Sequence, residues 1–198
     1  MSASGADPGA GADPFHGLIL ARHGETDDNR PPIRFQGFHD TPLNDTGRRQ
    51  AHELADRVAA SEDPVRSLWA SDLSRARETA EIVGARIGFE PRLDPRLREA
   101  NRGEWEGRRF IDVQREDPER FAAWMRGGAD WRFPGGESLQ EQQDRVSAAL
   151  KDIARTGALP ALVVCHGGSI RVVLCLRDPR GLSAFHTFEI PNVAMLRV

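Results

Sequence analysis

Two short stretches carry chemistry-bearing side chains at the ends of apolar runs. Leu18-Ile19-Leu20-Ala21 breaks into Arg22-His23-Gly24-Glu25-Thr26, and Ala161-Leu162-Val163-Val164-Cys165 breaks into His166-Gly167-Gly168. A neutral imidazole at His23 can attack phosphorus through one ring nitrogen when the other is held by a backbone carbonyl. Arg22 beside it offers a planar fork to phosphate oxygens, and Gly24 lets the backbone come close. Taken singly, a histidine after a strand is ordinarily a polar loop residue without catalytic duty. The same ending on two apolar runs shifts the balance toward chemistry.

The elements that must position these groups follow from patterning. Both apolar runs read as buried strands whose carboxyl ends open into loops, where α/β sheets place their ligand sites. Asp27 to Asp45 is rich in Pro, Asn, Asp and Gly, carries Arg30, Arg34, Gln36 and His39, and predicts a long loop walling the site. Thr46 reads as the cap of a helix with Ala51, Leu54, Ala55 and Val58 on one face. Val65 to Ala70 predicts a strand. Beyond it a helix capped by Asp72 or Ser74 has Ala76, Ala80, Val83 and Ile87 as its stripe. Arg75 falls in that helix's first turn, where the macrodipole opposes it, so it either points to solvent or belongs to an anion site. Glu99, Glu104 and Glu106 lie in a Gly-bounded irregular segment. Weakly helical stretches at Phe110–Val113 and Phe121–Met125, interrupted by Pro118, predict a small cap. Ser138 and Glu141 are spaced as a capping box before a long helix bearing Leu139, Val146, Leu150 and Ile153. Ser169 to Leu174 is helical by pattern, which puts the Gly167 and Gly168 amides at a helix N-terminus as an anion cradle. Asn192 to Val198 closes the chain as a strand.

Size and composition narrow the classes. With 198 residues, 39% of them hydrophobic, the chain fits one domain with a substantial core. A net charge of −3 argues against a nucleic-acid or membrane-surface binder. Lys151 is the sole lysine among 27 basic residues, so an individual arginine carries little weight without a local reason. Met1 to Gly17 reads as a loose leader without the features of a signal peptide. No run approaches a membrane span, and the expected location is cytoplasmic. Cys165 and Cys175 read as buried thiols. There is no Walker loop or dinucleotide fingerprint, His52-Glu53 lacks the second histidine of a zinc-protease motif, and Gly168-Ser169 lacks the flanks of a nucleophile elbow.

The ordered set of motifs resembles the histidine phosphatase superfamily, also called the phosphoglycerate-mutase-like family. The resemblance rests on Arg22-His23-Gly24-Glu25-Thr26 with Asn29, Thr41-Pro42-Leu43 with Gly47, and Ser71-Asp72-Leu73-Ser74-Arg75-Ala76 with Thr79. It continues through Leu97-Arg98-Glu99 before Gly103-Glu104-Trp105-Glu106-Gly107, Phe133-Pro134-Gly135-Gly136-Glu137-Ser138 and His166-Gly167-Gly168. It covers residues 18–198 and implies a three-layer α/β/α sandwich with a mainly parallel sheet and a small helical cap. By resemblance His23 is the nucleophile that becomes a phosphohistidine, and Arg22, Arg75 and His166 surround the phosphoryl oxygens. Glu99 protonates the leaving alcohol and then deprotonates water, its pKa rising when phosphate is bound, while Asn29 and the Gly167 amide add contacts. No cofactor and no metal is implied.

The segment Gly103 to Gly107 and the Pro-Gly-Gly-Glu-Ser turn look like the short phosphatase branch, whereas the family's mutases are typically longer, with an insertion and a C-terminal tail. The expected activity is hydrolysis of a small phosphomonoester, such as a sugar or glycerate phosphate. A phosphoglycerate mutase is the alternative, and a non-catalytic phospholigand-binding module is the third reading. Arg30, Arg34 and Arg102 hint at a second anionic group on the substrate, such as a carboxylate. For Arg30, Arg77 and His39 a role and a solvated position are evenly balanced; His16, His52 and His186 read as non-catalytic. A homodimer is compatible with these residues, which select no oligomeric state.

Overall fold

The computed structural model describes residues 13–198. Its sheet has five strands, β1 (Leu18–Arg22), β2 (Ser67–Ala70), β3 (Arg92–Leu93), β4 (Ala161–Cys165) and β5 (Met195–Arg197), in the order β3-β2-β4-β1-β5. The first four in that order pair in parallel, and β5 runs antiparallel to β1. Both faces of β1 and β4 are apolar because both are covered. Ile19, Ala21, Leu162 and Val164 pack under α1 (Asp45–Ala59) and α2 (Ser74–Ile87). Leu18, Leu20, Val163 and Cys165 pack on the opposite side with residues of α5 (Leu139–Arg155) and α6 (Gly167–Cys175). The expected three-layer α/β architecture is therefore the observed one.

The register places Arg22 of β1 opposite Cys165 of β4, so the two His-Gly endings emerge side by side. The chain leaving β1 crosses by α1 on one face, and the chain leaving β4 enters α6 on the other. This divergence opens a crevice at the carboxyl ends of the strands. α3 (Phe110–Glu116) and α4 (Pro118–Arg126) form the small cap, with Pro118 starting a helix, not merely breaking one.

Several boundaries differ from the sequence reading. The cap of α1 is Asn44, whose side chain accepts from the Gly47 amide at 2.8 Å; Thr46 lies inside the helix. Neither Asp72 nor Ser74 caps α2. The carboxylate of Asp40, remote in sequence, accepts from the Ser74 amide at 2.7 Å and hydroxyl at 2.8 Å, while Asp72 pairs with Arg98. β2 starts at Ser67, β5 spans only three residues, and the two-residue β3 was not anticipated. The capping box of Ser138 and Glu141 forms as expected. Cys165 and Cys175 are buried free thiols.

The expected loose leader does not extend to Gly17. Its first twelve residues lie outside the described ones, but Asp13 to Gly17 form a turn that puts Phe15 into the core at 4% exposure. Among the described residues no helix is long and apolar enough to cross a membrane. Truncating Phe15 to Ala should lower the unfolding free energy by about 3 kcal/mol, the cost of a large aromatic cavity, as measured by urea denaturation.

Candidate active site

The nucleophile candidate is held by the strand that carries it. The His23 amide donates to the Cys165 carbonyl at 3.0 Å, tying the end of β1 to the end of β4. Its ring Nδ1 donates to the Gly24 carbonyl at 2.7 Å, which fixes the tautomer and leaves the Nε2 lone pair available. Gly24 itself serves packing: a Cβ there would collide with the Gly47 backbone at the start of α1. The close approach permitted by this glycine is thus to a helix of the chain.

His166 stands beside His23, with ring centroids 5.2 Å apart and planes at 62°. Its Nε2 meets the Ser71 hydroxyl at 2.8 Å, and its Nδ1 is buried without a partner among the described residues. Burial lowers the pKa of both imidazoles well below the ordinary range, and the charge of Arg75 lowers it further; His166 and Arg22 add to this at His23. Both rings are neutral at pH 7, the form that an attacking nitrogen needs.

Arg22 and Arg75 are oriented by carbonyl oxygens. Arg22 donates to Ile190 at 2.6 Å, and Arg75, fully buried, donates to Gly37 at 2.8 Å and His39 at 3.0 Å. Burial pushes each guanidinium down to about 10, which leaves it charged at neutral pH. The solvent alternative for Arg75 is therefore excluded.

Glu99 arrives from the irregular segment after β3. Its Oε1 accepts from the Ala100 amide at 2.8 Å and Gln142 at 2.9 Å, and its Oε2 from the Gly168 amide at 2.9 Å. Burial raises its pKa, but the Arg102 charge and these donors outweigh burial and hold the carboxyl at about 2. Without bound phosphate Glu99 is thus an anion. The expected anion cradle at the start of α6 is partly filled by this carboxylate, and a Cβ on Gly168 would collide with it. The Glu99 segment is clamped by Arg145, which donates to the carbonyls of Arg96, Arg98 and Glu99 at 2.7–2.9 Å and is paired with Glu137.

Arg22, His23, Asn29, Arg34, Glu99, Arg102 and Gly167 line one cavity of about 130 Å³, with Ile33 and Phe110 also on its wall; Arg75 and His166 lie buried close by. Asn29 receives the Thr26 amide at 3.1 Å on its Oδ1, and its Nδ2 is buried without a partner among the described residues. Arg34 donates to the Gly107 carbonyl at 2.7 Å. Arg102 is buried, with cation–π distances of 5.0–5.9 Å to Phe133, Phe35 and Trp124, and one of its terminal nitrogens lacks a partner among the described residues.

Arg30 pairs with Asp27 and Arg77 with Glu81 on the surface, away from the cavity. His39 contributes only its carbonyl to Arg75. His186 binds the Trp124 carbonyl under the cap. Sequence reading missed Ser71, Gln142 and Arg145, which reach the site from other elements, and Arg171, which lines the cavity from α6. Arg171 follows His166 by five residues on a predicted helix, a spacing that could have suggested it.

Because the folded pKa values of His23 and His166 lie below 6.5, the unfolded chain binds protons that the folded chain refuses. The stability tied to these groups is present above pH 6.5 and lost as pH falls through it, by up to ~1.4 kcal/mol per pH unit for each. Glu99 adds a loss of the same sign at lower pH, between 4.5 and about 2. Denaturation in phosphate-free buffer should show about 2–3 kcal/mol less stability at pH 5.5 than at 7.5, and His23→Asn with His166→Asn should remove most of that difference.

Residues 18–198 match the family model described as histidine phosphatase superfamily (branch 1). "Phosphoglycerate mutase-like protein 4" of Arabidopsis thaliana is 38% identical over 157 residues, 78% of this chain and 67% of that protein. A mycobacterial glucosyl-3-phosphoglycerate phosphatase structure superposes with a TM-score of 0.77 at 29% identity, covering 90% of this chain and 87% of that one. The α-ribazole phosphatase of Shigella flexneri gives 0.77 at 26% identity, covering 90% and 87%. With the motifs placed around one crevice and the family model matching nearly the whole described chain, this protein belongs to the histidine phosphatase superfamily.

Proposed function

We propose that the chain is a metal-independent phosphomonoesterase that works through a phosphohistidine on His23. The observation that carries this is the His23 Nδ1–H bond to the Gly24 carbonyl, which leaves Nε2 as a neutral nucleophile. Around it the buried Arg22 Nε, Asn29 Nδ2, Arg75 Nε, Arg102 Nη1 and His166 Nδ1 have no partner among the described residues. Such nitrogens suit the oxygens of a phosphoryl group, whose loose transition state calls for positioning and positive charge above all.

Nε2 attacks phosphorus in line as the ester P–O bond breaks, and Glu99 supplies a proton to the leaving oxygen. Glu99 is ionised in the free site and must first gain that proton. The approach of the phosphate's negative charge raises its pKa, and a substrate bound as the monoanion can deliver the proton itself. Water then attacks the phosphohistidine while Glu99 takes its proton, and the P–N bond breaks to release phosphate.

Two of the structural neighbours are named phosphatases, which supports hydrolysis; the name of the Arabidopsis relative supports the mutase alternative. A purely binding module is disfavoured because nucleophile, clamp and acid positions are all filled. Arg34 and Arg102 on the cavity wall support a substrate with a second anionic group, such as a glycerate phosphate.

A panel of phosphomonoesters should release phosphate equally with and without EDTA, and His23→Ala should abolish release. Dominant conversion of 3- to 2-phosphoglycerate would instead establish the mutase. Arg34→Ala should raise KM for glycerate phosphates by about threefold to fivefold, the scale of one partly exposed charge pair, and change that for glycerol phosphate by less than about twofold. Equal effects on both substrates would remove the second-anion assignment.

A further inference from the structure

A carboxylate has four acceptor positions, two on each oxygen. On Glu99, Oε1 has both occupied, by the Ala100 amide at 2.8 Å and Gln142 Nε2 at 2.9 Å. Oε2 takes the Gly168 amide at 2.9 Å, and the nearest Arg102 nitrogen, at 3.9 Å, is too far for a hydrogen bond. One acceptor position therefore remains, and it is on Oε2.

We propose that Gln142 is a positioning residue that confines the working proton of Glu99 to Oε2. In the first half-reaction the Oε2 proton passes to the leaving oxygen as its bond to phosphorus breaks, giving the alcohol and the carboxylate. In the second, a water proton passes to Oε2 as the remaining hydroxide bonds to phosphorus and the P–N bond to His23 breaks. The acid and a neutral imidazole are restored. A proton on Oε1 would face Gln142 and serve neither step.

The state of Gln142 supports this role independently. The residue is fully buried on α5, and its side-chain carbonyl oxygen has no partner among the described residues. A buried carbonyl left unpaired is destabilising, and a leucine or methionine would fill the same space without that penalty. What neither could do is donate to Glu99. Reversing the amide would set its carbonyl against the carboxylate, so the Glu99 anion fixes which end of the amide faces it.

The inference rests on the phosphohistidine reading, and its test separates the two. The measured quantity is the ratio of kcat/KM for an alkyl phosphate, whose leaving oxygen needs a proton, to that for 4-nitrophenyl phosphate, whose leaving group departs as the phenolate. Gln142→Met should lower this ratio about tenfold, a fraction of what general acid catalysis contributes. Gln142→Leu, as a second variant, should do the same. Because the ratio is independent of the amount of folded enzyme, a variant that merely folds poorly leaves it at the wild-type value. In a Glu99→Gln background Gln142→Met should lower the ratio no further. A ratio within twofold of wild type in both single variants, or an equal further drop in the Glu99→Gln background, overturns the role of Gln142. Wild-type protein that hydrolyses neither ester, or that does so equally well as His23→Ala, overturns the phosphohistidine reading and this role with it.

Discussion

The site depends on guanidinium groups that are buried yet not neutralised. Arg22 is held by the Ile190 carbonyl, Arg75 by those of Gly37 and His39, and Arg171 by that of Phe188 at 2.9 Å. Carbonyl oxygens orient an arginine without cancelling its charge. Surface arginines of the same chain find carboxylates instead, as Arg48 does with Glu78, Arg86 with Asp56 and Arg180 with Asp178. The two histidines are kept uncharged first by their burial and then by the unneutralised guanidinium charges beside them, Arg75 above all. Among the described residues lining the cavity, Glu99 is the one carboxylate.

That division explains what could be read from the residues and what could not. The strand-His-Gly endings were legible because apolar runs and glycines are local signals, and parallel pairing of the two strands brings the endings together. Arg22 and Arg75 came from motif context. In a chain whose basic residues are nearly all arginine, type alone could not separate Arg34, on the cavity wall, from Arg30, four residues earlier on the surface. Each pairs with a nearby aspartate, Arg34 with Asp28 and Arg30 with Asp27, but Arg34 is also drawn to the Gly107 carbonyl, and a partner 73 residues away leaves no local trace. The same applies to Gln142 and Arg145, which look like ordinary polar positions of an amphipathic helix. At the cap of α1 two good candidates, Asn44 and Thr46, stood two residues apart, and the Gly47 amide chose Asn44.

The cap is more than a cover. Phe35, Trp105, Phe110, Phe121 and Trp124 form a continuous aromatic cluster, with ring centroids 3.9–6.5 Å apart. Arg102 lies against this cluster on one side and near Glu99 on the other, at 3.9 Å. The packing of α4 therefore bears on the charge that faces Glu99, through a side chain that itself belongs to the Glu99 segment.

The carbonyls of Gly37 and His39 that aim Arg75 belong to the long loop after β1, which also walls the cavity through Arg34, Phe35 and Gln36. The cavity wall and the setting of Arg75 thus share one backbone segment. In evolutionary terms the loop is not a free module. A loop graft made to change selectivity also resets the aim of Arg75, so descendants that explore new substrates must conserve the path of the backbone through residues 37–39 while varying the side chains around it.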